Sequence, residues 1–247
     1  MDQMSETQFR RKAGMPEKGA RSGMEAVSEL KPHGHGKPPR GPMVRKPRGQ
    51  GASRRGEILD AAKRLFIEEG FANATMRRIA AEVGVSPTAL YLHFADKEAI
   101  LQAIADDYFS ELLVVLNKSQ AGAAPSLSRL RAGLRAYVNF GMTRYDEYRL
   151  TFESRVPRAD ALICPESDVA DMSFKVLEHA VETLLAEGVF RGGHKVVIAE
   201  TIWCCMHGLT SALVNMPDHV QSQRDILIES VIDNVITGLA CPKSAFG

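Results

Sequence analysis

The chain has 247 residues, of which 45% are apolar, 25% charged and 6% aromatic, with a formal net charge of +1. That length suits one or two domains with enough apolar content for a real core, which excludes a wholly disordered chain. No stretch approaches the ~18 consecutive apolar residues of a membrane span, and the N-terminus is polar and basic, so a cytoplasmic protein with no membrane partner is expected.

The near-neutral total conceals an asymmetry. Residues 1–55 carry 13 Lys/Arg against 5 Asp/Glu, a net of +8, while the other 192 residues carry 18 against 25, a net of −7. From Lys31 to Arg55 there are eight basic residues and no acid, interleaved with glycine and proline. This composition can neither bury apolar surface nor hold a helix, so residues 1–53 are expected to be a disordered basic arm. A solvated tail with no task, or a reading frame that opens at Met43, are the open alternatives. Cys164, Cys204, Cys205 and Cys241 lack zinc-ligand spacing, and the adjacent pair points in different directions on a helix. They read as buried thiols, and neither a metal nor a cofactor is expected.

From Gly56 onward, long amphipathic segments of 3.6-residue period are separated by short breaks, which points to an all-α fold. In the first segment Ile58, Leu59, Ala62, Leu65 and Phe66 form one apolar stripe, and Gly70 supplies the left-handed position after the last turn, giving a helix over roughly 54–69. Thr75 can cap a second, short helix whose apolar positions are Met76, Ile79, Ala80 and Val83, and which ends at Gly84. Ser86 then caps a third, with Pro87 in its first turn and Leu90 and Phe94 four residues apart. Two short helices joined by a tight glycine turn make a helix-turn-helix. This arrangement turns Ser86, Thr88 and Ala89 outward, where short side chains can reach base edges in a major groove. Arg77, Arg78, Tyr91, His93 and Lys97 are nearby candidates for phosphate contacts. Net charge alone does not decide for DNA, because Arg54–Lys97 holds seven basic and six acidic side chains.

The stretch TMRRIAAEVGVSPTALYLHFADKEAIL, preceded by RRGEILDAAKRLFIEEGF, resembles the N-terminal DNA-binding domain of TetR-family transcriptional regulators. The resemblance covers residues 54–101 and rests on T-x-R-x-I-A, then G-V-S, then L-Y-x-H-F-x-x-K-E. It implies a three-helix DNA-binding head, a fourth helix linking it to a ligand-binding body, and a homodimer. It also implies that Thr75, Arg77, Tyr91, His93 and Lys97 hold phosphates while Ser86, Thr88 and Ala89 face bases, with Pro87 in the same DNA-binding turn. Pro87-Thr88-Ala89 stand where many members carry lysine or glycine, so the operator is not implied.

Past Lys97 the pattern is long helices over roughly 96–118, 126–146, 147–155, 166–187, 193–215 and 222–239, a six-helix body spanning 102–240 with a tail at 241–247. Ile202-Trp203-Cys204-Cys205-Met206-His207-Gly208-Leu209 is similar to the W-x-x-x-H-G-L signature of one C-terminal subgroup of TetR regulators, and Tyr148-Arg149-Leu150-Thr151-Phe152 resembles its Y-R-L-M-F segment. Trp203 and His207, four apart, share a helix face and could line an apolar cavity with Phe109, Tyr137, Phe152 or Phe174. Plain core packing is the alternative for each. The last two helices, with Val196, Val197, Trp203, Leu209 and Leu213, then Ile226, Ile228, Val231, Ile232, Val235, Ile236 and Leu239, carry more apolar surface than one helix pair hides, and dimerisation is expected there. No phosphate-binding glycine loop, nucleophile elbow or H-E-x-x-H motif supports an enzyme. The expected function is a ligand-responsive repressor, released from a pseudo-palindromic double-stranded operator by a small, largely apolar effector.

Overall fold

In the computed structural model the chain divides into units 1–43 and 44–247; residues 51–122, 124–153 and 168–241 are described, and all of them belong to the second unit. The expectations for the basic arm up to residue 50, for Cys164 and for the loop at 156–165 lie outside the described residues. Among the described residues the fold is all α, in nine helices: α1 (Gly51–Glu68), α2 (Met76–Val83), α3 (Pro87–Tyr91), α4 (Lys97–Ser119), α5 (Ser126–Thr143), α6 (Tyr145–Glu153), α7 (Asp168–Ala186), α8 (Lys195–Asn215) and α9 (Arg224–Leu239). A short 3₁₀ turn, Pro217–His219, precedes α9, and a lone antiparallel bridge pairs Phe190 with Ala240.

The head is defined by local signals. Thr75, Ser86 and Asp96 cap α2, α3 and α4, each side chain accepting from a backbone N–H three residues on. Gly84, with φ of 73°, sits in the left-handed region that ends α2, and its N–H reaches back to the carbonyls of Ala80 and Ala81. Ile58, Leu65, Phe66, Ile79, Leu90 and Phe94 close the core, with Ile100, Leu101 and Ile104 of α4 inside it. One member comes from far along the chain: Leu150 of α6.

In the body α5, α6 and α7 pack on α4, and α8 packs in turn on α5, α7 and α9. The α5–α6 break falls at Arg144, two residues before the expected one. There Gly141 lets α8 and α6 close in, since a Cβ at that position would meet the Thr210 methyl at 2.5 Å and the Tyr148 ring at 3.2 Å. Arg144 is then held by Glu111 of α4 and, at 3.0 Å, by Glu147. The helix α8 is long and apolar enough by composition to cross a membrane, with mean hydropathy 1.4. Its stripe of Ile198, Ile202, Met206, Leu209 and Leu213 is buried in the body.

Two expectations need correction. Cys204, Cys205 and Cys241 are exposed, not buried. Both cysteines on α8 lie outside its buried stripe, so the apolar run is buried on one side of that helix only. Leu209, Leu213, Ile228, Ile232 and Ile236 are packed within the chain itself, while Val197 and Ile226 are exposed at 57% and 61%. The surplus apolar surface of the last two helices is therefore smaller than their composition suggests.

Candidate functional site

The caps and the Gly84 turn fix how the head presents its surface. Thr75, Arg77, Ser86, Pro87, Thr88, Tyr91 and His93 are exposed, Ala89 is half-buried, and Leu90 behind them is buried. Ser86 uses its oxygen to accept from the Ala89 N–H at 3.1 Å, which leaves its own hydroxyl proton to donate outward. The neighbouring arginines differ. Arg78 is bound to Glu69 at 3.2 Å and to Glu82 at 3.4 Å, whereas Arg77 has no ion pair among the described residues.

The Lys97 side chain stands differently from the sequence expectation. Its ammonium donates to the carbonyls of Phe71, Ala72 and Ala74 at 2.7, 3.2 and 3.3 Å and lies 4.5 Å from the centre of the Phe71 ring. An ammonium has three donors, and all are spent on closing the loop after α1. What Lys97 leaves for a phosphate is its backbone N–H at the start of the 23-residue α4. Two neighbours escaped the sequence reading: Arg55, whose guanidinium lies 5.2 Å from the Phe94 ring, and Leu92, which is 84% exposed. A basic residue in the first turns of α1 was the available signal for Arg55.

The body holds an apolar chamber of about 300 Å³, at the lower end of small-molecule pockets. Phe109, Tyr137, Phe152, Phe174 and Trp203 line it, together with leucines of α4 and α5 and Met206. His207 does not line it but stands directly behind. Its ring stacks on Trp203 with centroids 5.0 Å apart and meets Phe152 edge-on at 4.8 Å. The Trp203 indole N–H, which can only donate, lies beside the Tyr137 hydroxyl. Tyr137 Oη lies 3.3 Å and Tyr148 Oη 3.0 Å from His207 Nδ1, and Tyr148 Oη is also 3.2 Å from the His207 carbonyl oxygen. An Nδ1 that accepts places the proton of the neutral ring on Nε2. Burial pushes the Tyr137 hydroxyl far above its ordinary range, with the nearby Trp203 indole N–H opposing, so it stays protonated and able to donate. Among the described residues no group of three or more His, Cys, Asp or Glu side chains is placed to hold a metal.

Chamber and head are joined through two elements. The helix α4 runs from the head core, at Ile100 and Leu101, to the chamber wall at Phe109 and Leu112. The nine-residue α6 puts Phe152 on the chamber, Tyr148 on His207, Leu150 into the head core and Glu147 3.7 Å from Lys63 of α1.

An exposed turn between two capped helices, set on a helical body with an internal apolar cavity, defines a helix-turn-helix regulator. The comparisons agree: residues 58–104 match the family described as bacterial regulatory proteins, tetR family, and residues 130–235 match the tetracyclin repressor-like C-terminal domain. The chain belongs to the TetR family, whose members are regulatory proteins and not enzymes. It is 33% identical over 101 residues to the transcriptional activator FasR of Mycolicibacterium smegmatis, covering 41% of this chain and 46% of that protein. It is 39% identical over 67 residues to the repressor Rv1474c of Mycobacterium tuberculosis, covering 27% and 36%. The chain thus spans less than half the length of these curated relatives. Among solved structures, a tetR-family regulatory protein of Rhodococcus RHA1 superposes with a TM-score of 0.61 at 23% identity over 77% of this chain and 98% of that one. The FadR regulator of Bacillus subtilis, in complex with stearoyl-CoA, gives 0.63 at 18% identity over 74% and 98%. Both likenesses concern the fold alone.

Proposed function

We propose that the protein is a cytoplasmic, ligand-responsive transcriptional repressor that binds a pseudo-palindromic operator as a homodimer and is released by a small, largely apolar effector. The observation that carries this reading is α6, one short helix touching the chamber at Phe152 and the head core at Leu150. Thr88, Pro87 and the Ser86 hydroxyl face bases, with Ala89 at the edge. Arg77, Thr75, Tyr91, His93 and the Lys97 backbone N–H hold phosphates. Phe109, Tyr137, Phe152, Phe174 and Trp203 enclose the effector, and His207 fixes three of them, Tyr137, Phe152 and Trp203, from behind.

Dimerisation uses the outer face of α8 and α9, where Val197, Thr201, Cys205, Gly208 and Ile226 are exposed and a Cβ on Gly208 would meet nothing within 4 Å. A second copy there sets the recognition turns one DNA turn apart, ~34–36 Å. An effector that prefers a body with the heads at another spacing lowers operator affinity by ~5- to 150-fold. The basic arm adds nonspecific, salt-sensitive affinity that the acidic body lacks.

The test is DNA binding around the protein's own gene. Thr88→Ala should relax preference among operator variants, while Arg77→Ala should weaken binding to all of them and reduce the slope of log K against log salt by about 1. Unchanged affinity and slope in both variants would overturn the assignment of this face to DNA.

A further inference from the structure

The chamber beside Trp203 does not end at its apolar wall. A second cavity of about 630 Å³ lies against it between α4, α5 and α7, and the two share Gln120 and Val176. The second lining is different in kind. It brings together Arg129, Lys175 and His179 with neutral polar and apolar groups and contains no carboxylate. Lys175 is exposed and has no ion pair or hydrogen bond among the described residues. Arg129 donates to the Ala124 carbonyl at 3.1 Å and to Ser126 Oγ at 3.2 Å, neutral acceptors, and makes no direct ion pair among the described residues. His179 faces Glu182 on its own helix, and Glu187 at the rim is engaged by the Ser126 hydroxyl at 2.6 Å.

Gln120 sits where the two cavities meet. Its amide lies so close over Gly133 that a Cβ there would meet Nε2 at 2.8 Å, so only glycine leaves the amide in this place. The chamber's own carboxylates, Asp171 and Glu200, are both exposed, and they disfavour an anionic group lodged in the chamber itself. Charge therefore sets an orientation: apolar end inward, anionic end in the basic cavity.

We infer that the effector is an amphiphilic anion whose apolar body fills the chamber and whose carboxylate or phosphate head lies between Lys175 and Arg129. The Gln120 amide at the junction serves an oxygen that links body to head. This inference rests on the chamber being the effector site, as proposed above, and adds the chemistry of the ligand's other end.

Trp203 is the chain's single tryptophan and lines the chamber, so its fluorescence reports occupancy. The full-length protein is titrated below micelle concentrations with probes sharing one tail: dodecanoate, dodecyl phosphate, dodecanol and dodecyltrimethylammonium. At low salt the better of the two anions should bind about tenfold tighter than dodecanol, the sum of two or three partly solvated charge contacts. Which anion it is identifies the head group. Raising the salt should shrink that advantage, and the double variant K175Q/R129Q should abolish it while dodecanol affinity moves less than twofold. Dodecanol binding as tightly as either anion overturns the head-group assignment and leaves the effector chamber standing. Tightest binding of the ammonium probe overturns it in favour of Asp171 and Glu200. No response of Trp203 to any probe overturns the effector reading of the chamber, and this inference with it.

Discussion

The head and the chamber are built by opposite means. The presented surface of the head is set by short-range contacts: caps three residues from the amides they serve and a glycine in the left-handed region. The chamber is a half-open pocket bordered by five helices, α4 to α8, whose lining residues stand almost a hundred positions apart in the chain. A binding surface of the first kind survives changes elsewhere in the molecule, whereas a cavity of the second kind responds to every helix that borders it. Regulation needs one of each, and α4 and α6 are the elements that belong to both.

The sharpest way to break this comparison is Leu150→Ala. Leu150 is carried by α6 but buried in the head core, and its truncation should cost about 3 kcal/mol in urea denaturation. Under conditions where the variant is folded, an effector in the chamber should no longer change operator affinity. Retained coupling would remove α6 from the route and leave α4 as the link.

A smaller effect sharpens the same boundary. Burial raises the Glu147 carboxyl, but the hydrogen bond from Arg144 and the charges of Arg144 and Lys63 outweigh it and hold the group below the usual carboxylate range. A lowered folded-state value means that the stabilisation is fully present above the unfolded value and is lost as pH falls through the folded one. Glu147→Gln should therefore cost about 1 kcal/mol at pH ~7, because these pairs are partly solvated, and progressively less as the pH falls through the lowered folded-state value. A gap that persists in acid would mean that the side chain acts by packing and not by charge.

Much of the head was legible in the sequence, since Thr75, Gly84, Ser86, Pro87 and Asp96 act within a few residues of themselves. Five of the six aromatic or histidine positions chosen for the cavity do line it, because helical periodicity sorts inner from outer faces. What stayed hidden depends on contacts between distant segments. Leu150 reads as a body residue until its helix is seen against α1. Gly141 and Gly133 look like ordinary helix glycines until Thr210 and Gln120 are set against them. The Lys97 ammonium reads as a phosphate ligand until the three carbonyls after α1 are found around it. The exposed cysteines of α8 were hidden by an apolar run that has only one buried side.

The central claim, that filling the chamber and gripping DNA are one equilibrium, is tested most directly by measuring the same coupling from both ends. Trp203 fluorescence gives effector affinity with and without saturating operator, and operator titration gives DNA affinity with and without saturating effector. Linkage requires the two ratios to be equal, and a coupling of ~1–3 kcal/mol makes each ~5- to 150-fold. Effector affinity that is the same on free and operator-bound protein would contradict the account.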